Sequence, residues 1–114
     1  MSQITTHVLD LALGKPAAGI AVILEMRVAE DEWQTLGRGN TDADGRLRTL
    51  LPANHHLVAG VYRLVFDLVP YYRTAGMECF FPIVPIVFAV RDTSERFHVP
   101  LLLSPFGYST YRGS

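Results

Sequence analysis

Phe97-His98-Val99-Pro100-Leu101-Leu102-Leu103-Ser104-Pro105-Phe106-Gly107-Tyr108-Ser109-Thr110-Tyr111-Arg112-Gly113-Ser114 closes the sequence. Chain ends ordinarily run out in polar residues that water solvates. Here they hold an apolar strand, a Ser-Pro turn, further aromatic rings and an arginine, so the tail should be docked on the rest of the fold. Side chains alternate across a strand. Phe97, Val99, Leu101 and Leu103 therefore share one face, suited to a core, and His98, Pro100 and Leu102 share the other. That second face would be polar if it met water, yet proline and leucine flank the histidine. It is expected to be covered, most simply by another subunit. Pro100 has no backbone donor and suits an edge or irregular position.

The first strand, Ile4 to Leu11, repeats the pattern: Thr5, His7 and Leu9 lie opposite Ile4, Thr6 and Val8. Alternation thus predicts one covered outer surface bearing His7, His98, Ser109 and Tyr111. Between the two ends, short strands are separated by turn signals about every ten residues, the pattern of a sandwich or barrel. They run Ile20 to Val28, Trp33 to Thr41, Arg46 to Leu50, Gly60 to Leu68, Ile86 to Val90, Phe97 to Leu103 and Tyr108 to Tyr111. Asp42-Ala43-Asp44-Gly45 is a turn, since Asp-Gly favours positive φ. It lacks the downstream glutamate of a calcium loop. Pro82 and Pro85 are expected to bound a connection, and Tyr71 to Met77 to hold a single helical turn. The prediction is all-β: two four-stranded antiparallel sheets, face to face, with one short helix, in one domain over residues 1–114.

Composition narrows the function. Apolar residues make up 49% and charged residues 18%, with a net charge of −1 from ten basic and eleven acidic residues. There is no basic patch to bind nucleic acid. The apolar runs are too short for a membrane span, and residues 1–6 lack the regions of a signal peptide. No Ser-Lys-Leu ending is present either, so a cytoplasmic protein is expected. The single cysteine, Cys79, precludes an intrachain disulfide and reads as a structural thiol.

Four histidines occur. His55 and His56 follow Pro52-Ala53-Asn54 and read as loop residues. His7 and His98 each sit inside an apolar strand on the semi-covered face. Either is a structural histidine or, since unperturbed imidazole is largely neutral at pH 7, a group able to take a proton from water. No His-x-His or His-x-x-x-His spacing exists, so no metal site is expected. Arg46, beside the Asp-Gly turn, is either a solvated charge or a guanidinium aimed at carbonyl oxygens. Ser104, Ser109 and Ser114 lack a G-x-S-x-G elbow. Gly14, Gly37 and Gly39 are followed by no helix and form no phosphate loop.

Two stretches then converge. His7-Val8-Leu9-Asp10-Leu11-Ala12-Leu13-Gly14-Lys15-Pro16-Ala17 at one end and His98-Val99-Pro100-Leu101-Leu102-Leu103-Ser104-Pro105-Phe106-Gly107-Tyr108-Ser109-Thr110 at the other resemble the transthyretin family. Tyr111-Arg112-Gly113-Ser114 is similar to the signature of that family's enzymatic branch. The resemblance implies a transthyretin-like sandwich, assembled as a homotetramer (a dimer of dimers) with active sites where dimers face each other. It implies hydrolysis of 5-hydroxyisourate to 2-oxo-4-hydroxy-4-carboxy-5-ureidoimidazoline in urate degradation, without a cofactor. The residues it implicates in catalysis are His7, Arg46 and His98. The pocket would be walled by Tyr111, Arg112, Gly113 and Ser114 and lined by Pro100, Leu102 and Ser109. The hormone-carrying branch lacks both histidines and the Tyr-Arg-Gly-Ser ending. A carrier that binds a small ligand without catalysis is the alternative. One departure is visible: Arg96-Phe97-His98 stands where the enzymatic branch often has His-Tyr-His.

Overall fold

The computed structural model describes residues 2–114; Met1, where the segment without signal-peptide features begins, lies outside them. Among the described residues the order is β1 (Ile4–Asp10), β2 (Lys15–Pro16), β3 (Ala21–Ala29), β4 (Glu32–Asn40), β5 (Arg46–Leu47), β6 (Gly60–Asp67), α1 (Val69–Thr74), β7 (Ile83–Val90), β8 (Phe97–Ser104) and β9 (Gly107–Thr110). One sheet runs β2-β1-β8-β9, with β5 also on β1, and the other runs β4-β3-β6-β7.

The strand alternation read from the sequence decides what is inside. Ile4 and Val8 of β1 and Phe97, Val99, Leu101 and Leu103 of β8 are buried. They join one apolar cluster with Val22 and Leu24 of β3, Tyr62, Leu64 and Phe66 of β6, and Val84 and Ile86 of β7. Burial of each such side chain stabilises by about 1.5–3 kcal/mol. Two polar residues also face inward from β1, and both are satisfied. Thr6 Oγ1 donates to the Val99 carbonyl at 2.6 Å. Asp10 accepts the amides of Ala12 and Leu13 at 3.0 and 3.1 Å, and the Tyr71 hydroxyl at 2.6 Å. Asp10 thereby ties the end of β1 to α1, and burial together with this carboxylate raises the pKa of the Tyr71 phenol.

Several expectations are corrected. The first sheet has five strands rather than four, because Lys15–Pro16 pairs with Leu9 and Asp10 while Arg46–Leu47 pairs with His7 and Thr6. The ladder between β1 and β8 is parallel, not antiparallel. Nearly the whole chain separates these strands, so no hairpin fixes their relative direction. The strand expected over Arg46 to Leu50 stops at Leu47, and beyond it the Arg48 carbonyl accepts the Ser2 amide at 2.7 Å instead of continuing the ladder. Pro85 lies within β7 rather than before it. That is tolerated because β7 is an edge strand, paired only with β6, so the missing donor faces the open side. The helix begins earlier than expected, at Val69, with Pro70 in its first turn, and Gly76 (φ 69°) turns the chain beyond it. Val28, near the end of β3, is exposed because the β3–β4 hairpin extends beyond the core.

Candidate active site

The central strand β1 lies between β5 and β8 and brings the candidate residues into adjoining rows. His7 stands opposite Arg46 on β5. On the other side His7 stands opposite Pro100, and Thr5 opposite His98. Because alternate residues share a face, Thr5 and His7 look outward together, as do His98 and Pro100, while their neighbours fill the core.

The Asp42–Gly45 turn seats Arg46 and orients His7. Asp42 Oδ1 accepts the amides of Asp44 and Arg46, both at 2.9 Å. The Asp42 amide donates to the Arg46 carbonyl at 2.9 Å. These amides, that of Arg46 above all, hold the Asp42 carboxyl below its ordinary pKa. Gly45 takes φ 75°, and a Cβ there would collide with the Val8 carbonyl. The turn then presents the Asp44 carbonyl to His7 Nε2 at 2.8 Å. A carbonyl only accepts, so Nε2 carries the hydrogen, and Nδ1 is the acceptor of the neutral ring.

His98 is held from two sides. Its Nδ1 is 2.8 Å from Thr5 Oγ1. Its carbonyl accepts the Gly113 amide at 2.8 Å, and the Gly113 backbone packs so closely on the ring that a Cβ there would lie 2.5 Å from His98 Cδ2. Burial first, then the Arg46 guanidinium and His7, push the His98 pKa below the ordinary imidazole value. His98 is therefore a neutral ring at pH 7, and among the described residues its Nε2 makes no hydrogen bond.

The tail takes its path from Pro100. The β8–β9 ladder runs as far as Leu101 opposite Thr110, and the same register resumes at His98 opposite Gly113. Between them Pro100 offers no amide, and its carbonyl accepts Thr110 Oγ1 at 2.7 Å. Tyr111 and Arg112 leave the ladder there and line a groove with Ile86, Val87 and Phe88 of β7. Arg112 Nη2 donates to Glu95 Oε2 at 3.2 Å and to the Arg96 carbonyl at 3.1 Å, and its guanidinium lies over the Phe97 ring.

The predicted residues therefore divide among four places. Arg46, His98, Gly113 and Ser114 line a cleft of about 260 Å³ with Thr5, Arg48 and Arg96, and His7 adjoins it through its pairing with Arg46. Pro100 is buried beside Gly113. Leu102 and Ser109 face each other across β8 and β9 and line a separate groove with Leu11 and Tyr108. Tyr111 and Arg112 sit in the groove against β7. His55 and His56 lie outside the cleft. Among the described residues no three His, Cys, Asp or Glu side chains converge as a metal site. Sequence reasoning missed Thr5, Arg48, Arg96 and the Asp44 carbonyl. Thr5 stands two residues from His7 on the same strand, so alternation would have found it, whereas Arg48 and Arg96 lie just beyond the ends of β5 and β8.

The arrangement offers a neutral imidazole with a free nitrogen, a second oriented imidazole, and a guanidinium beside them. That set can take a proton from water and stabilise an oxyanion.

Comparison with known proteins gives a consistent result. Residues 4–113 match the model of the HIUase/Transthyretin family. The chain is 48% identical to the 5-hydroxyisourate hydrolase of Caulobacter vibrioides, with all of both chains covered. It resembles the structure of Klebsiella pneumoniae 5-hydroxyisourate hydrolase with a TM-score of 0.82 and 37% identity, over 97% of this chain and 92% of that one. It resembles sea bream transthyretin in complex with thyroxine with a TM-score of 0.90 and 30% identity, over 98% and 95% of the two chains.

Proposed function

The chain belongs to the HIUase/transthyretin family, and on that premise we propose that it hydrolyses 5-hydroxyisourate, opening the six-membered ring to give 2-oxo-4-hydroxy-4-carboxy-5-ureidoimidazoline. The observation that carries this reading is the row of Arg46, His7, Thr5 and His98 on three adjoining strands, with His98 open to the cleft. Likeness to the thyroxine-bound transthyretin reports a shared sandwich, whereas this row of proton-transfer and oxyanion groups is chemistry a carrier does not require.

His98 is the general base of the proposed mechanism. Its lowered pKa keeps it unprotonated at neutral pH. With Nδ1 engaged by Thr5 Oγ1, Nε2 is the atom that faces the cleft to accept a proton from water, in the tautomer that carries its hydrogen on Nδ1. The water oxygen adds to the ring carbonyl, and Arg46 stabilises the oxyanion. His7, fixed by the Asp44 carbonyl, positions the water or the leaving nitrogen. The C–N bond then breaks, and the nitrogen takes the proton held by His98. Gly113 and Ser114 wall the pocket and Pro100 floors it. Leu102, Ser109, Tyr111 and Arg112 are the remaining residues that the family resemblance assigns to the pocket.

The working form is a homotetramer, a dimer of dimers. Exposed Leu11, Leu13, Phe106 and Tyr108, and the open edges of β7 and β9, support this. Among the described residues no helix is long and apolar enough to cross a membrane, and the free thiol of Cys79 suits a reducing compartment such as the cytoplasm. The test is to generate 5-hydroxyisourate from urate with urate oxidase and follow its ultraviolet decay. Acceleration by the purified chain supports the proposal, and an unchanged decay refutes it.

A further inference from the structure

Hydrolysis of a ring acyl–nitrogen bond creates a charge. Water oxygen bonds to the carbonyl carbon, the C–N bond breaks, one proton reaches nitrogen, and the new carboxylic acid releases the other to solvent. The product thus carries a carboxylate that the intact ring lacked. Arg46 is assigned to the oxyanion, but two further guanidiniums line the same cleft. Arg48 lies just beyond β5 and Arg96 just before β8, and both line the cleft beside Arg46 and His98.

Among the described residues no Asp or Glu side chain lines this cleft. Arg48 has only a distant, half-exposed partner, Asp42 at 3.9 Å, a contact that solvent screens. Among the described residues the ion pairs involve Arg48, Arg63 and Arg112, and Arg96 is in none of them. The Arg96 backbone is nevertheless fixed, because Arg112 clamps its carbonyl. A single exposed arginine is a solvated charge. Two guanidiniums that line one cleft without an Asp or Glu side chain to pair them suit the forked geometry of a carboxylate.

We propose that Arg48 and Arg96 form a carboxylate-binding site at the exposed rim of the cleft, and that this site holds the ring-opened product. The product role rests on the hydrolase reading; the anion site rests on the arginines alone. The two residues govern retention of the product rather than the chemical step.

The test uses N-carbamoylglycine, which joins a ureido group to a carboxylate, and its neutral amide as control. Both are titrated by calorimetry into the wild-type chain, R48Q/R96Q and R48K/R96K. The wild type should bind the acid at least tenfold more tightly than the amide. R48Q/R96Q should lose that preference, R48K/R96K should keep part of it, and thermal melting should be unchanged in both variants. Equal wild-type affinity for acid and amide, or acid affinity within twofold of wild type in R48Q/R96Q, overturns the proposal. The readout does not depend on turnover. Acid preference in a chain that leaves 5-hydroxyisourate decay unchanged sustains the anion site and removes its product role. Hydrolysis without acid preference removes the site and leaves the hydrolase reading intact.

Discussion

Replacing Gly113 with alanine should disable His98 while leaving the fold in place. Gly113 is not among the glycines with positive φ, so the constraint is steric rather than conformational. An alanine Cβ would sit 2.5 Å from His98 Cδ2 and 3.3 Å from both His98 Cγ and Pro100 Cγ. Carbon atoms pack best at about 3.5–4.0 Å, so ring and tail must separate by roughly 1 Å. Two bonds resist this: the Gly113 amide to the His98 carbonyl, and His98 Nδ1 to Thr5 Oγ1. Either the tail lifts and the pocket loses a wall, or the ring turns and Nε2 loses its aim. A misplacement of about 1 Å costs on the order of a hundredfold in rate. Stability should fall by less than about 1 kcal/mol, since Gly113 contributes only an isolated bridge beyond β9. The assay pairs ultraviolet decay of 5-hydroxyisourate with thermal melting. A variant within twofold of wild-type activity would refute the reasoning.

Further predictions concern the supports of the same row. Thr5→Val keeps the shape of the side chain but removes the hydroxyl from His98 Nδ1; turnover should drop about tenfold in steady-state assays, with melting little changed. Arg46→Gln should lower turnover roughly a hundredfold by removing the oxyanion donor. It also removes a positive charge that disfavours protonated His98, so the His98 pKa should rise towards about 6.5. Proton NMR of the imidazole would detect this, and a downward move would contradict the assignment. In the wild type the acidic limb of kcat/KM should accordingly fall below the ordinary histidine range. Asp10→Ala leaves the Ala12 and Leu13 amides and the Tyr71 hydroxyl without their acceptor; chemical denaturation should show a loss of about 2–4 kcal/mol.

Much of this was legible because alternation is local. Phe97, Val99, Leu101 and Leu103 are inside and His98 looks out, as their spacing requires. Arg46 was ambiguous because one strand cannot reveal its neighbour; the pairing with His7 resolves it. The parallel neighbours β1 and β8 were equally hidden, since nothing near either strand in sequence sets their direction. Thr5 became visible as a partner of His98 only once that ladder was known. Extending alternation through Tyr111 failed for a definite reason: Pro100 interrupts the ladder, so Tyr111 and Arg112 turn to the other edge and only Gly113 returns to His98. The Asp42–Gly45 turn was identified, but its bond from the Asp44 carbonyl to His7 is a backbone contact that no side-chain pattern encodes.

The most direct measurement compares the wild-type chain with His98→Asn in the ultraviolet decay of freshly generated 5-hydroxyisourate. The wild type should accelerate the decay well above the spontaneous rate, and His98→Asn should lose at least about a hundredfold of that acceleration, the scale of general-base catalysis. A His98→Asn variant as fast as wild type would contradict the role of His98 at the centre of the site.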